Sequence, residues 1–166
     1  MQYTPKDGFP YYYSLVEDKE LYALFSSNTN FSLLRSIDDN KGNYRYAADK
    51  WSIKQIIGHI TDHERIKMFR AFQLSRKEVV ELWGYDQNLL VDNARFDELS
   101  VEQLLSDLSN VRQSSISFIA SLSPQQLQIK GNARTHSITL QQFLKSIIGH
   151  EWHHINIIKQ KYLSFE

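Results

Sequence analysis

Apolar residues recur at three- and four-residue spacing in four stretches of the chain. The first, about 19–38, carries Leu21, Leu24, Phe25, Leu34 and Ile37. The second, about 53–75, carries Ile53, Ile56, Ile57, Ile60 and Ala71. The third, about 101–121, carries Leu104, Leu105, Leu108, Val111, Phe118 and Ile119, and the fourth, about 140–161, carries Leu140, Phe143, Leu144, Ile147, Ile155 and Ile158. That spacing is one face of an α-helix. No stretch alternates as a half-buried strand does. The pattern predicts an all-α fold, a four-helix bundle formed by residues 1–166 as one domain.

Helix starts are written into the sequence. Ser52 precedes Gln55, Ser100 precedes Gln103, and Thr139 precedes Gln142. Each is a capping box, in which a hydroxyl and a side-chain amide satisfy backbone N–H groups that the first turn leaves unpaired. Ser123-Pro124-Gln125-Gln126 is a fourth, with proline where its missing N–H costs nothing. It predicts only a short turn, because Lys130-Gly131-Asn132 breaks it. Asp18 is the expected cap of the first helix. Lys77–Leu99 reads as a long loop containing Trp83-Gly84-Tyr85-Asp86-Gln87. A structureless connection of that length usually serves function, so it is expected to line a site.

Composition narrows the classes. A hydrophobic fraction of 42% and an aromatic fraction of 13% suit a folded domain and argue against disorder. Lys+Arg and Asp+Glu both count 19, which removes the electrostatic case for nucleic acid or an anionic membrane. With no cysteine, disulfides, thiolate metal sites and cysteine nucleophiles are excluded. Met1–Gly8 lacks the apolar region of a signal peptide. No apolar run approaches the roughly 20 residues of a membrane span. The expectation is a cytoplasmic protein without membrane partners.

Histidine carries the candidate chemistry. Five of the six fall in two helices: His59 and His63 in the second, and His150, His153 and His154 in the fourth. His136 is expected to sit in a polar loop that borders a pocket. Residues four apart on a helix differ by about 40° in azimuth, so His150 and His154 can clamp one metal ion, whereas His153 is turned about 60° the other way. A lone H-x-x-x-H is weak evidence, since histidines of no special role are common. Two pairs on different inward faces are stronger, because a bundle core converges ligands from facing helices and tolerates unpartnered imidazoles poorly. Glu64 and Glu151 also fall among inward apolar positions. An internal ion pair with Arg45, Arg65 or Arg70 is the first explanation. The functional alternatives are orienting an imidazole or acting as general base, which makes Glu64 and Glu151 the catalytic candidates.

The chain resembles the DinB/YfiT-like superfamily of bacterial metal-binding four-helix bundles. The resemblance is carried by Tyr44-Arg45-Tyr46-Ala47, Lys50-Trp51-Ser52-Ile53-Lys54-Gln55-Ile56-Ile57-Gly58-His59, Asp62-His63-Glu64-Arg65, Gly84-Tyr85-Asp86-Gln87 and Gly149-His150-Glu151-Trp152-His153-His154. It implies an up-down-down-up topology, metal ligands at His59, His150 and His154, and often a homodimer. Relatives often have a small polar residue where His63 stands, which leaves open an alternative-ligand or ligand-orienting role for it, and proline where Trp83 stands. Three imidazoles without sulfur suit Zn²⁺, with Ni²⁺, Mn²⁺ or Fe²⁺ as alternatives, and they leave an open position as catalytic sites do. The function expected is a metal-dependent enzyme acting on a small molecule. It would be either a hydrolase that activates water or a transferase that holds an external low-molecular-weight thiol. The alternative is a non-catalytic or stress-associated metal-binding bundle.

Overall fold

The computed structural model describes residues 3–78, 82, 84–133 and 136–163. After a 3₁₀ turn at Pro5–Asp7, the helices run in the order α1 (Phe9–Ser14), α2 (Leu21–Ser26), α3 (Thr29–Arg35), α4 (Asp39–Gly42), α5 (Ile53–Ser75) and α6 (Gln87–Asp92). α7 (Val101–Ala120) and α8 (Pro124–Leu127) follow, then strands β1 (Lys130–Ala133) and β2 (His136–Thr139), and α9 (Leu140–Ile157), which continues into a π-helical turn at Ile158–Tyr162. α5, α7 and α9 start behind the capping boxes of Ser52, Ser100 and Thr139. In the first, the Ser52 hydroxyl accepts from the Gln55 N–H at 3.0 Å, and the Gln55 side chain accepts from the Ser52 N–H at 3.1 Å.

The first predicted helix is broken in two. Ser27 takes an extended conformation between α2 and α3, within a Ser26-Ser27-Asn28 run that favours caps over helix interior. Its cap is Glu20, which accepts from the Ala23 N–H at 2.7 Å, not Asp18. The apolar set survives the break: Leu21, Leu24, Phe25, Leu34 and Ile37 are all buried, while Val111 and Phe118 on α7 are half-buried. The bundle also carries an antiparallel hairpin that periodicity missed. Lys130 pairs with Thr139 and Ala133 with His136, over strands too short for alternation to register. The stretch 77–99 is not structureless, since α6 is capped by the Asp86 carboxylate and a 3₁₀ turn forms at Phe96–Glu98. Trp83 lies outside the described residues.

Helix contacts define the bundle. α5 packs on both α7 and α9, and α2 packs on the same two helices, joined by α3 on α7. The N-terminal α1 lies along α9. Gly149 permits this, because a Cβ there would stand 1.9 Å from the Tyr12 carbonyl oxygen.

The core is divided. One apolar cluster gathers Leu24, Phe25, Leu74, Ile119, Phe143 and Leu144, among others. The second gathers Phe31, Leu34, Ile57, Ile60, Leu108 and Ile155. Between them along every long helix lie buried polar residues. Arg112 of α7 bonds Glu64 of α5 at 2.9 Å through Nη2 and at 3.1 Å through Nε, and it also bonds Glu151 of α9. Ser115 donates to Glu64 at 2.6 Å, and Asn30 of α3 donates to Glu151 at 2.5 Å. The guanidinium lies 5.5 Å from the centre of the Phe25 ring and 5.8 Å from that of Phe31. Burial alone lowers its pKa, but Glu151 and Glu64 outweigh burial and raise it. The sequence therefore places the carboxylates correctly and their partner wrongly: Arg45 bonds Gln55 and Asp97, and Arg65 pairs with Asp62 and Asp107. Arg112 was legible as the residue four beyond Leu108 on the inward stripe.

Arg112→Ala leaves two buried carboxylates without their cation. Urea unfolding should show a loss of about 3–5 kcal/mol, as when one partner of a buried ion pair is removed. A variant with apolar residues at Glu64, Arg112 and Glu151 together should lose much less. Equal losses in the two variants would show that the charge pairing is not what the core requires.

Candidate metal centre

α5 and α9 pack on each other, and each presents a histidine one residue before its carboxylate, His63 before Glu64 and His150 before Glu151. Successive helical residues differ by about 100°. With Glu64 and Glu151 fixed on Arg112, the flanks of both helices therefore turn toward each other beside the charged layer. There the His150 Nε2 lies 3.1 Å from the His59 Nε2 and 3.2 Å from the His154 Nε2. All three side chains are buried. Among the described residues this is the one group of histidines and carboxylates whose ligand atoms all lie within 4.8 Å of one another. The Trp51 ring walls it, 4.8 Å from the His59 ring and 6.3 Å from that of His154. Trp51 is in turn held through its carbonyl, which accepts from the Tyr162 hydroxyl at 2.6 Å.

Burial makes these imidazoles neutral. It lowers the pKa of His59 to about 4 and pushes those of His150 and His154 well below the ordinary histidine value, with neighbouring histidines adding to the effect. Neutral rings with converging nitrogens are the form a metal ion needs. The spacing suits one as well: a tetrahedral ion with nitrogens at about 2.0–2.1 Å has ligand–ligand edges of about 3.3 Å. The donor set therefore fits a divalent ion.

His153 behaves as its phase predicts. It turns away from the cluster, and its Nδ1 lies 3.2 Å from the Tyr11 hydroxyl. His63 is buried beside the centre, stacked on His150, with its Nδ1 2.7 Å from the Tyr85 hydroxyl. Burial lowers its pKa as well. Glu64 and Glu151 direct their bonds to Arg112, Ser115 and Asn30.

A cavity of about 440 Å³ opens against this cluster. His150 and His63 form part of its lining, together with Tyr12, Leu82, Gly84, Tyr85, Gln87 and Phe143. The stretch that follows Lys77 thus borders the site through Leu82, Gly84, Tyr85 and Gln87. His136, on β2 rather than in a loop, also lines the cavity. Sequence reasoning passed over the N-terminal wall formed by Lys6, Phe9 and Tyr12. The aromatic run Tyr11-Tyr12-Tyr13 was the available signal.

A family model described as the DinB superfamily matches residues 27–158. Among solved structures, YfiT from Bacillus subtilis superposes with a TM-score of 0.64 at 16% identity, over 96% of this chain and 89% of that one. It is described as a probable metal-dependent hydrolase with an unusual four-helix bundle topology. At that identity the likeness shows the fold alone. No curated protein sequence matches the chain. No helix among the described residues is long and apolar enough to cross a membrane.

Two outcomes are expected. Alanine at His59, His150 or His154 should cut zinc affinity steeply in a competition titration, whereas His153→Ala should cost little. Equal loss at His153 would contradict the geometry. The second concerns pH. A histidine whose folded pKa is depressed takes up protons more readily when unfolded, so its contribution to stability is complete above the unfolded pKa and is lost as pH falls. The urea midpoint of chelator-treated protein should fall as pH drops from about 6.5 toward about 4, and a flat profile over that window would show that the rings are not buried neutral.

Proposed function

The chain belongs to the DinB superfamily, and from that premise we propose that it is a divalent-metal-dependent enzyme acting on a small molecule, with His59, His150 and His154 as ligands and zinc as the metal. The observation that carries this is the double position of His150. Its Nε2 belongs to the buried nitrogen cluster, and its ring also lines the 440 Å³ cavity. Three protein nitrogens leave a coordination position open, as in catalytic rather than structural zinc sites. Such an ion supplies Lewis-acid chemistry, activating water or an external thiol as a nucleophile near neutral pH.

The chain's own residues do the rest. Trp51 and Tyr12 pack against the imidazoles and Phe143 adds an apolar wall to the cavity, and such walls would exclude bulk water and strengthen electrostatic interactions inside. The cavity wall offers Tyr85 and Gln87 as groups that orient a bound molecule. Burial raises the Tyr85 pKa, aided by Asp62, so its phenol stays protonated and can donate a hydrogen bond. Glu64 and Glu151, tied to Arg112, hold the helices rather than move protons.

The two branches, hydrolysis and thiol-dependent transfer, separate by spectroscopy. A borderline-soft ion with three neutral nitrogen ligands keeps its positive charge and favours a thiolate. Cobalt-substituted protein is expected to gain a sulfur-to-metal charge-transfer band when a low-molecular-weight thiol is added. No band in fully metallated protein would turn the search to ester and amide hydrolysis. Absence of turnover there as well would leave the non-catalytic metal-binding reading.

A further inference from the structure

A histidine that binds metal through Nε2 normally donates its Nδ1–H to a carboxylate or carbonyl, and that bond fixes the ring plane. His150 lacks such a bond. Its Nδ1 is the one buried side-chain polar atom among the described residues with no hydrogen-bond partner. Yet its Nε2 is the hub of the cluster, close to both other nitrogens. Something else must hold the ring.

The His63 ring lies flat against it, with centroids 3.6 Å apart and planes 9° from parallel. On another side the Tyr12 ring meets it edge-on at 5.0 Å and 75°. His63 is itself anchored, since its Nδ1 lies 2.7 Å from the Tyr85 hydroxyl, with either group donating according to the tautomer. His63 is not a further ligand by this geometry. The nitrogen lone pairs of an imidazole lie in its plane, so two parallel stacked rings do not aim them at one point.

We propose that His63 and Tyr85 are positioning residues for the metal centre: Tyr85 fixes His63, and the stacked His63 ring sets the plane of His150 in place of the missing Nδ1 hydrogen bond. Both also line the cavity, so a molecule bound against Tyr85 touches the anchor of a metal ligand. The inference rests on the metal-binding reading above and deepens it.

The test uses the full chain, zinc by competition titration and cobalt by its d–d spectrum, with folding checked by circular dichroism. His63→Ala should lower zinc affinity about 10- to 100-fold, the range for residues that orient metal ligands, and should shift the cobalt bands. His63→Phe keeps a flat stacking face and should recover most of the affinity. Tyr85→Phe should shift the same bands with a smaller loss. Wild-type affinity and spectra in both His63→Ala and Tyr85→Phe would overturn the proposal. So would a loss in His63→Phe as deep as that in His59→Ala, because His63 would then be a ligand. If His63→Ala fails to fold, His63→Phe and Tyr85→Phe decide the matter alone. Failure of the unmutated chain to bind zinc or cobalt would remove the metal reading itself, and with it this inference.

Discussion

Arg112, buried between Glu64 and Glu151, is the constraint around which the bundle is arranged. Two carboxylates and one guanidinium are costly to remove from water, and only close mutual bonding offsets that cost. Here every member is bonded, with Ser115 and Asn30 completing the set. The cluster draws on α3, α5, α7 and α9, so it fixes the rotation of each about its own axis as well as their distance. Apolar packing alone is forgiving about rotation, whereas a buried ion pair is not.

That rotation explains the histidine cluster. Glu64 follows His63 directly, and Glu151 follows His150. Once the carboxylates point at Arg112, the preceding imidazoles project from the adjoining flank, and His59 and His154 join them one helical turn away along their own helices. The charged layer and the histidine layer are thus two consequences of one placement. Together they interrupt the apolar core, which continues above and below them as separate clusters.

The same burial that makes the histidines good ligands makes the metal-free site costly. Four imidazoles held neutral by burial favour either a bound cation or protonation and opening. Cation binding there would be linked to folding, as it is in metal sites formed by folding. The surroundings of the site are less regular than its base. α1 packs closely on α9 at Gly149, and the hairpin and the residues about Tyr85 form the rim. The specific shape of the cavity therefore comes from the connections, while its chemistry comes from the long helices.

The sequence by itself determined the long helices, their starts and the histidine phase. Capping boxes and three-and-four spacing are local, and the azimuths of His150, His153 and His154 follow from helix geometry alone. It also placed Glu64 and Glu151 inward, and the resemblance selected the histidine trio that the fold brings together. It did not show the break at Ser27, because the apolar stripe runs unchanged across it, nor the hairpin, whose strands are too short to display a period. Tertiary structure alone decided that Arg112 is the carboxylates' partner, that His63 stacks on His150, that Tyr85 reaches His63, and that Tyr12 closes the near wall. These pairings join residues 22 to 138 positions apart. A contact of that kind depends on how the helices are rotated against one another, and that rotation is set by the buried charges, not by any periodicity a single segment carries.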